Sequence, residues 1–330
     1  MVTPPRRVAI VGCGFIGEKR ARSLPAGALA LCCDSNAARA ESLAARFGAR
    51  TEPDWRVAVV DPEIEIVIVA TTHDLLAPIT TAAATGGKHV IVEKPAALRA
   101  EDLDDAIAAS AKTGARVHVG FNHRYHRAFQ KLREIVDSGV LGPLTHVRAR
   151  YGHGGRIGYD KEWRSVPSLS GGGEAIDQGM HVIDLSRWFL GDFVDVYGFA
   201  ETYFWDMPVE DNAFLLMRTA SKQVASLHAS WSEWKNTFSF ELFGRDGKLE
   251  VTGLGGSYGT ERLTFYKMLP ELGPPETTMY EYPMADDSWH VEYAAFLDDI
   301  AAKREPDPGL RDAQAALRIV ERLYAIAANP

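Results

Sequence analysis

Apolar and polar positions alternate along the first third of the chain in two periods. Short apolar runs at residues 7–11, 29–33, 64–70, 89–92 and 117–120 have strand length. Between them, residues 15–24, 37–47, 75–85 and 100–113 carry apolar side chains at helical spacing, and Gly48, Gly86 and Gly114 stand where three of these helices should stop. Strands that are apolar throughout and are separated by helices predict a parallel sheet covered on both faces. The expected fold is α/β, with about six strands in doubly wound order.

The pattern changes after residues 120–126. A helix is expected at 128–138, a strand at 144–151, a Gly-rich loop at 152–173 and a helix at 177–190. Six strand-like runs follow, at 194–201, 213–219, 223–231, 238–243, 248–252 and 263–267, and helices at 288–302 and 310–328 close the chain. Successive strands without intervening helices predict an α+β domain with an open, mainly antiparallel sheet. The domains are therefore expected at residues 1–122 and 123–330, with the final helices free to pack back on the first.

The chain's 330 residues suit two such cores, and 46% hydrophobic with 24% charged residues is ordinary for globular proteins. Lysine and arginine total 36 against 44 acidic residues, a formal charge of −8, and no segment concentrates basic charge. A nucleic-acid partner is disfavoured. The apolar run at 64–70 is interrupted by Glu65 and falls far short of the ~20 residues that a membrane helix needs, so no membrane partner is expected. Residues 1–7 lead straight into the first strand without an apolar signal region, and the only cysteines are Cys13, Cys32 and Cys33. A cytoplasmic location is expected.

Gly12-Cys13-Gly14-Phe15-Ile16-Gly17 is a GxGxxG placed between the first strand and the first helix. That context makes it a dinucleotide fingerprint: Gly12 permits the turn, Gly14 admits a pyrophosphate and Gly17 allows close helix packing, with Phe15 and Ile16 opening the helix. Asp34 ends the second strand near the spacing expected of the carboxylate that binds the adenosine ribose. Its charge would repel a 2′-phosphate, which favours NAD over NADP, although Arg39 lies one turn further on. The plain alternative for Asp34 is a helix cap. Thr71, Thr72 and His73 follow the next strand at the ligand-binding edge of the sheet, where they either line the cofactor channel or cap a helix.

Glu93-Lys94-Pro95 follows another strand at the same edge, directing Lys94 toward the nicotinamide region. Far along the chain, Gly171-Gly172-Gly173 precedes Asp177 and His181, which four-residue spacing would place on one helical face as an acid/base pair. On spacing alone, a capping aspartate at the helix start with a structural histidine is the better reading. His118, His123 and His126 lack the carboxylate or cysteine companions of a metal site, so no metal is expected.

Together, GCGFIG, Asp34, EKP at residues 93–95 and GGGEAIDQGMHVIDLSRWFLG resemble the glucose–fructose oxidoreductase, inositol dehydrogenase and MocA superfamily, in motif order and spacing over essentially the whole chain. The resemblance implies a Rossmann domain followed by an open-faced sheet domain, often paired in homodimers or homotetramers. It implies an NAD-dependent dehydrogenase acting on a CH–OH group of a sugar, nucleotide-linked sugar or cyclitol. Lys94 matches the family's active-site lysine, and Asp177 and His181 its aspartate–histidine pair, with the histidine as base. Glu93 and Lys94 would also border the cofactor.

Phe121-Asn122-His123-Arg124-Tyr125 resembles the segment that borders the substrate pocket, making Asn122, Arg124 and Tyr125 substrate-binding candidates. Trp163-Arg164 matches a pair that approaches cofactor or substrate in related proteins, and Arg156 adds charge to the same loop. Thr71-Thr72-His73 departs from the Thr-Pro-Asn common in relatives, which leaves that part of the cofactor contact open. Two other activities share the scaffold, a dinucleotide-binding regulator without turnover and a dihydrodiol- or biliverdin-type reductase, and the presence of Lys94, Asp177 and His181 argues for the sugar enzyme.

Overall fold

The computed structural model describes residues 5–328. They form two compact units: one holds the chain up to Phe121 together with Trp289–Ala315, and the other holds Asn122–Ser288 and the residues from Ala316 onward.

Six parallel strands build the sheet of the first unit: β1 Val8–Val11, β2 Leu29–Cys33, β3 Arg50–Glu52, β4 Ile66–Val69, β5 His89–Glu93 and β6 Val117–Gly120. Their order is β3-β2-β1-β4-β5-β6, which is doubly wound with its switch between β1 and β4. Every residue of β1 and β4 is buried, as strands covered on both faces must be. The chain between strands forms α1 Phe15–Ser23, α2 Ala37–Phe47, α3 Trp55–Ala58, α4 His73–Thr85 and α5 Asp104–Thr113. Asn36 caps α2 by accepting from the Ala38 and Arg39 amides, and Gly48 ends it in the left-handed region at φ 68°. The expected helix at 100–113 is tighter over Ala100–Leu103, where it is a 3₁₀ turn. Strand β3 and helix α3 escaped the sequence pattern because one is three largely exposed residues and the other a single turn.

The second unit carries eight strands: β7 Leu144–Gly152, β8 Phe193–Glu201, β9 Asn212–Thr219, β10 Val224–Ser230, β11 Thr237–Gly244, β12 Gly247–Thr252, β13 Glu261–Lys267 and β14 Glu276–Tyr282. Their order is β14-β13-β12-β11-β7-β10-β9-β8. All neighbours are antiparallel except β7 and β10, which run parallel with Ala225 opposite Val147. Strand β14 was not expected, since its polar residues are mostly exposed at the sheet edge. Helices α6 Arg127–Asp137 and α8 Gly179–Leu190 pack on this sheet. The loop expected at 152–173 contains short helical turns, including α7 Pro167–Ser170. The helix expected from residue 177 starts at Gly179, so Asp177 lies in the turn ahead of it.

Two helices end the fold, α9 Ser288–Ala302 and α10 Leu310–Ala327. From α9, Tyr293, Phe296 and Ile300 join Ile10, Ile66 and Ile91 in the core of the first unit. A charged cluster accompanies them. Arg20 of α1, 1% exposed, donates through Nε to Glu93 Oε1 at 2.6 Å and pairs with Glu292 of α9. The other Glu292 oxygen lies 3.2 Å from His118 Nε2 on β6. Burial opposes the Arg20 charge, but Glu292 and Glu93 outweigh it and hold its pKa above the ordinary value. Burial likewise pushes Glu93 up, further than Arg20 draws it down, whereas at Glu292 the attraction of Arg20 and His118 wins and the carboxyl is lowered.

Replacing this cation should be costly in a pH-dependent way. Arg20→Met should lose about 3–5 kcal/mol in urea denaturation at neutral pH, because it leaves buried carboxylates without their counter-charge. Without Arg20 the folded-state pKa of both carboxyls rises, so their protonated forms favour folding at low pH and that contribution is lost as pH increases. The deficit against wild type should therefore shrink toward pH ~5. A deficit independent of pH would contradict this account.

Candidate functional site

In the first unit the site begins where β1 runs into α1. Gly12 turns the chain at φ +96°, and a Cβ there would lie 2.4 Å from the Ala70 carbonyl oxygen. A Cβ on Gly17 would lie 2.0 Å from the Gly12 carbonyl oxygen, so only glycine lets α1 seat directly on the loop. Gly14 is different, since nothing lies within 4 Å of the position its Cβ would take. The space in front of the α1 amides is thus open to an anionic group. Phe15 is exposed, with the Lys19 ammonium 4.9 Å from its ring centre, and Ile16 is half-buried.

Asp34, half-buried at the end of β2, accepts from the Cys13 amide through Oδ2 and from the Asn36 amide through Oδ1, each at 2.8 Å. Because Asn36 supplies the side-chain cap of α2, Asp34 is not that cap. A carboxylate has about four lone-pair positions, so two amide bonds leave acceptor capacity for sugar hydroxyls. The glycine loop and this carboxylate fit the pyrophosphate and ribose of a dinucleotide. Thr71 and Thr72 are half-buried, and His73 is the buried first residue of α4. The Thr72 hydroxyl donates to Asp74 Oδ1 at 2.6 Å instead of capping the helix amides.

The turn after β5 divides its two candidates. Glu93, expected beside the cofactor, is buried and holds Arg20, so the geometry gives it a structural task. Lys94 is half-buried at the start of the turn, and its charge is among those drawing the Glu93 pKa down.

The remaining candidates lie in the second unit. Asn122–Tyr125 form one 3₁₀ turn, all four residues buried. Asn122 donates to Ser288 Oγ at 3.1 Å, and its Oδ1 lies 3.2 Å from His123 Nδ1. Arg124 binds Asp184 of α8 through both carboxylate oxygens, at 2.8 and 2.6 Å. This bidentate pair is buried, which makes Arg124 an anchor between the turn and α8. In the long loop, exposed Arg156 pairs with Glu162 at 2.6 Å, and the half-buried Trp163 ring lies 4.6 Å from the Arg164 guanidinium.

Asp177 and His181 are both buried, but they do not share a helical face as the spacing suggested, because Asp177 precedes α8. Asp177 Oδ2 accepts from Arg164 Nε at 2.8 Å. Burial opposes the Arg164 charge, and Asp177 and Tyr159 outweigh it, keeping the guanidinium charged. The His181 ring stacks on His123 at 3.7 Å and 19°. Two protonated rings at this separation would repel, so the stack favours at least one neutral imidazole.

Several neighbours had no motif to announce them. Tyr151 stands 6.2 Å from His181, and Tyr258, 5.1 Å from Tyr151, accepts from the Gln178 amide at 3.2 Å. Burial raises both phenols, Tyr258 to about 12, so they are hydroxyl donors at neutral pH. Burial lowers the His153 pKa, helped by Arg164 and Arg156 and opposed by Asp177. The apolar periodicity of the strands conceals such residues, since a buried tyrosine reads as core. Among the described residues, no group of three or more His, Cys, Asp or Glu side chains is placed to hold a metal ion, and no helix is long and apolar enough to cross a membrane.

Comparison with known proteins adds family evidence to this geometry. A family described as "Oxidoreductase family, NAD-binding Rossmann fold" matches residues 6–121, and the GFO/IDH/MocA C-terminal domain matches residues 129–250. Levoglucosan dehydrogenase of Pseudarthrobacter phenanthrenivorans is 28% identical over 282 residues, which is 73% of this chain and 72% of that protein. An inositol 2-dehydrogenase/D-chiro-inositol 3-dehydrogenase of Lactiplantibacillus plantarum is 25% identical over 333 residues, 92% of each chain. A solved structure of levoglucosan dehydrogenase in complex with NADH shares the fold at a TM-score of 0.88, with 24% identity over 98% of this chain and 97% of that one.

The glycine loop yields a paired test. Gly17→Ala forces two stretches of backbone apart and should cost about 1–3 kcal/mol. Gly14→Ala adds a methyl group to open space and should change stability by no more than about 0.5 kcal/mol. It should nevertheless weaken NADH binding in a fluorescence titration at least roughly ten-fold, since the added methyl occupies the pyrophosphate approach. Unchanged NADH affinity in Gly14→Ala would mean that this space is not used.

Proposed function

The chain belongs to the GFO/IDH/MocA oxidoreductase family, and from that membership we propose that it oxidises a secondary hydroxyl of a sugar, nucleotide-linked sugar or cyclitol with NAD, or runs the reverse reduction. The observation that carries this reading is the presence of Asp177 just ahead of α8 and of His181 in its first turn, in a chain whose relatives include dehydrogenases named for levoglucosan and inositol. A regulator without turnover would have no need of them.

NAD held by Gly12, Gly14, Gly17 and Asp34 would supply the hydride acceptor. His181 takes the hydroxyl proton as the C–H bond breaks, which is general base catalysis and requires its neutral form. Asp177, held by Arg164, fixes the turn that leads into the start of α8, where His181 stands. Lys94 binds the substrate oxygen, and its positive charge favours the developing alkoxide. Asp34 favours NAD over NADP, because a 2′-phosphate would bring like charge against its carboxylate. Asn122, Tyr125 and Trp163 are proposed to shape the substrate pocket.

NADH formation assayed against levoglucosan, inositols, glucosides and nucleotide sugars tests the reaction class, and the same titrations with NADP test the role of Asp34. With a confirmed substrate, His181→Ala and Lys94→Ala should each lower turnover roughly 10²–10⁴-fold while leaving NAD affinity nearly unchanged. Asp177→Asn should cost less, because its amide oxygen still accepts from Arg164. Turnover near wild type in His181→Ala removes it as the base.

The sheet of the second unit is proposed to pair with another copy of the chain in a homodimer or homotetramer. Tyr197, Phe199 and Leu216 are each more than half exposed on neighbouring strands β8 and β9, with Tyr197 opposite Leu216. Light scattering at micromolar concentration should give at least twice the chain mass, and a strictly monomeric mass contradicts the pairing.

A further inference from the structure

The triple glycine ahead of Asp177 is packed against two residues outside every motif named above. Glu210, buried just before β9, accepts from the Gly173 amide through Oε2 at 2.9 Å. Its Oε1 accepts from the Ala175 amide at 3.0 Å and from the Tyr324 hydroxyl of α10 at 2.7 Å. The Glu174 amide donates to the Glu210 carbonyl at 3.1 Å. Side chains would be excluded on both sides of this clasp. A Cβ on Gly173 would stand 1.9 Å from the Glu210 carbonyl oxygen, and one on Gly172 would stand 2.0 Å from the Tyr324 hydroxyl oxygen.

The clasped backbone leads directly to the proposed acid/base residues. The Asp177 amide donates to Gly173 O at 3.1 Å, and the Gly179 amide to Glu174 O at 2.8 Å. The His181 amide then donates to Gln178 O at 3.0 Å. Displacement of residues 172–175 would therefore pass to Asp177 and to the first turn of α8. Burial raises the Glu210 carboxyl, opposed by the Tyr324 hydroxyl and the amides that donate to it. Those three donors leave this carboxylate with few other tasks.

We propose that Glu210 and Tyr324 are positioning residues for hydride transfer, clasping the 172–175 backbone so that Asp177 and His181 are held in the geometry their chemistry needs. This rests on the reading of Asp177 and His181 as the acid/base pair. Neither Glu210 nor Tyr324 is assigned contact with the substrate. Their effect is exerted through the backbone and should be seen at His181.

The test uses the full chain with Tyr324→Phe, which removes one hydroxyl, and Glu210→Gln, which replaces one acceptor oxygen by a donor. The imidazole titration of His181 is followed by NMR, its signal assigned by its loss in His181→Gln, and the exchange rates of the Gly173 and Ala175 amides are measured alongside. Tyr324→Phe should shift the His181 titration and speed exchange of both amides. With whichever of levoglucosan or myo-inositol is turned over, kcat should fall roughly ten-fold or more, since small misplacements of reacting groups are costly. KM and NADH affinity should stay near wild type. An unchanged His181 titration in Tyr324→Phe, or an unchanged kcat, overturns the proposal. If Glu210→Gln does not fold, Tyr324→Phe decides alone. If the wild type turns over neither polyol, the substrate reading is in question, while the titration and exchange measurements still decide this one.

Discussion

The first unit depends on one buried cation. Arg20 is 1% exposed, and its charge is tolerable only because Glu93 and Glu292 reach it from β5 and α9. That requirement fixes several elements at once. It sets the roll of α1, whose start is the glycine loop, and the end of β5, from which the Lys94 turn departs. It also explains Gly120, where a Cβ would stand 2.6 Å from the Arg20 guanidinium. The residues expected to grip a dinucleotide thus hang from a framework held by charge as well as by apolar packing.

Much of this framework was legible in the sequence, and the reasons are specific. Strands β1 and β4 are apolar throughout because both faces are covered, and Gly48 and Gly114 end helices in the left-handed region. The glycine fingerprint and Asp34 are local in the chain, so their spacing carried their geometry. What spacing could not carry was partnership at a distance. Glu93 reads as part of a motif beside Lys94, yet its partner lies 73 residues earlier. Arg124 reads as a pocket cation, yet Asp184 neutralises it from 60 residues away. For Asp177 and His181 the four-residue spacing predicts a shared helical face, but the helix begins between them.

The second unit builds its polar centre differently from the first. Its histidines, tyrosines and carboxylates are pressed together under aromatic cover, with His181 stacked on His123 and Tyr151 close to both rings. In such a setting the protonation state of each group is set by its neighbours more than by bulk pH. Burial keeps Tyr151 and Tyr258 protonated as donors, while Asp177 helps to keep Arg164 charged.

The first unit is also discontinuous, since Trp289–Ala315 completes it. On the ribosome, the sheet strands and Arg20 emerge long before Glu292 is translated. Until then Arg20 has only Glu93 to answer its charge, and the site of Tyr293, Phe296 and Ile300 in the core is unfilled. The nascent sheet must therefore wait in an incomplete state while Asn122–Ser288 of the other unit is synthesised. A chain cut after Phe121 would keep every strand and the glycine fingerprint and still lack what closes its own core.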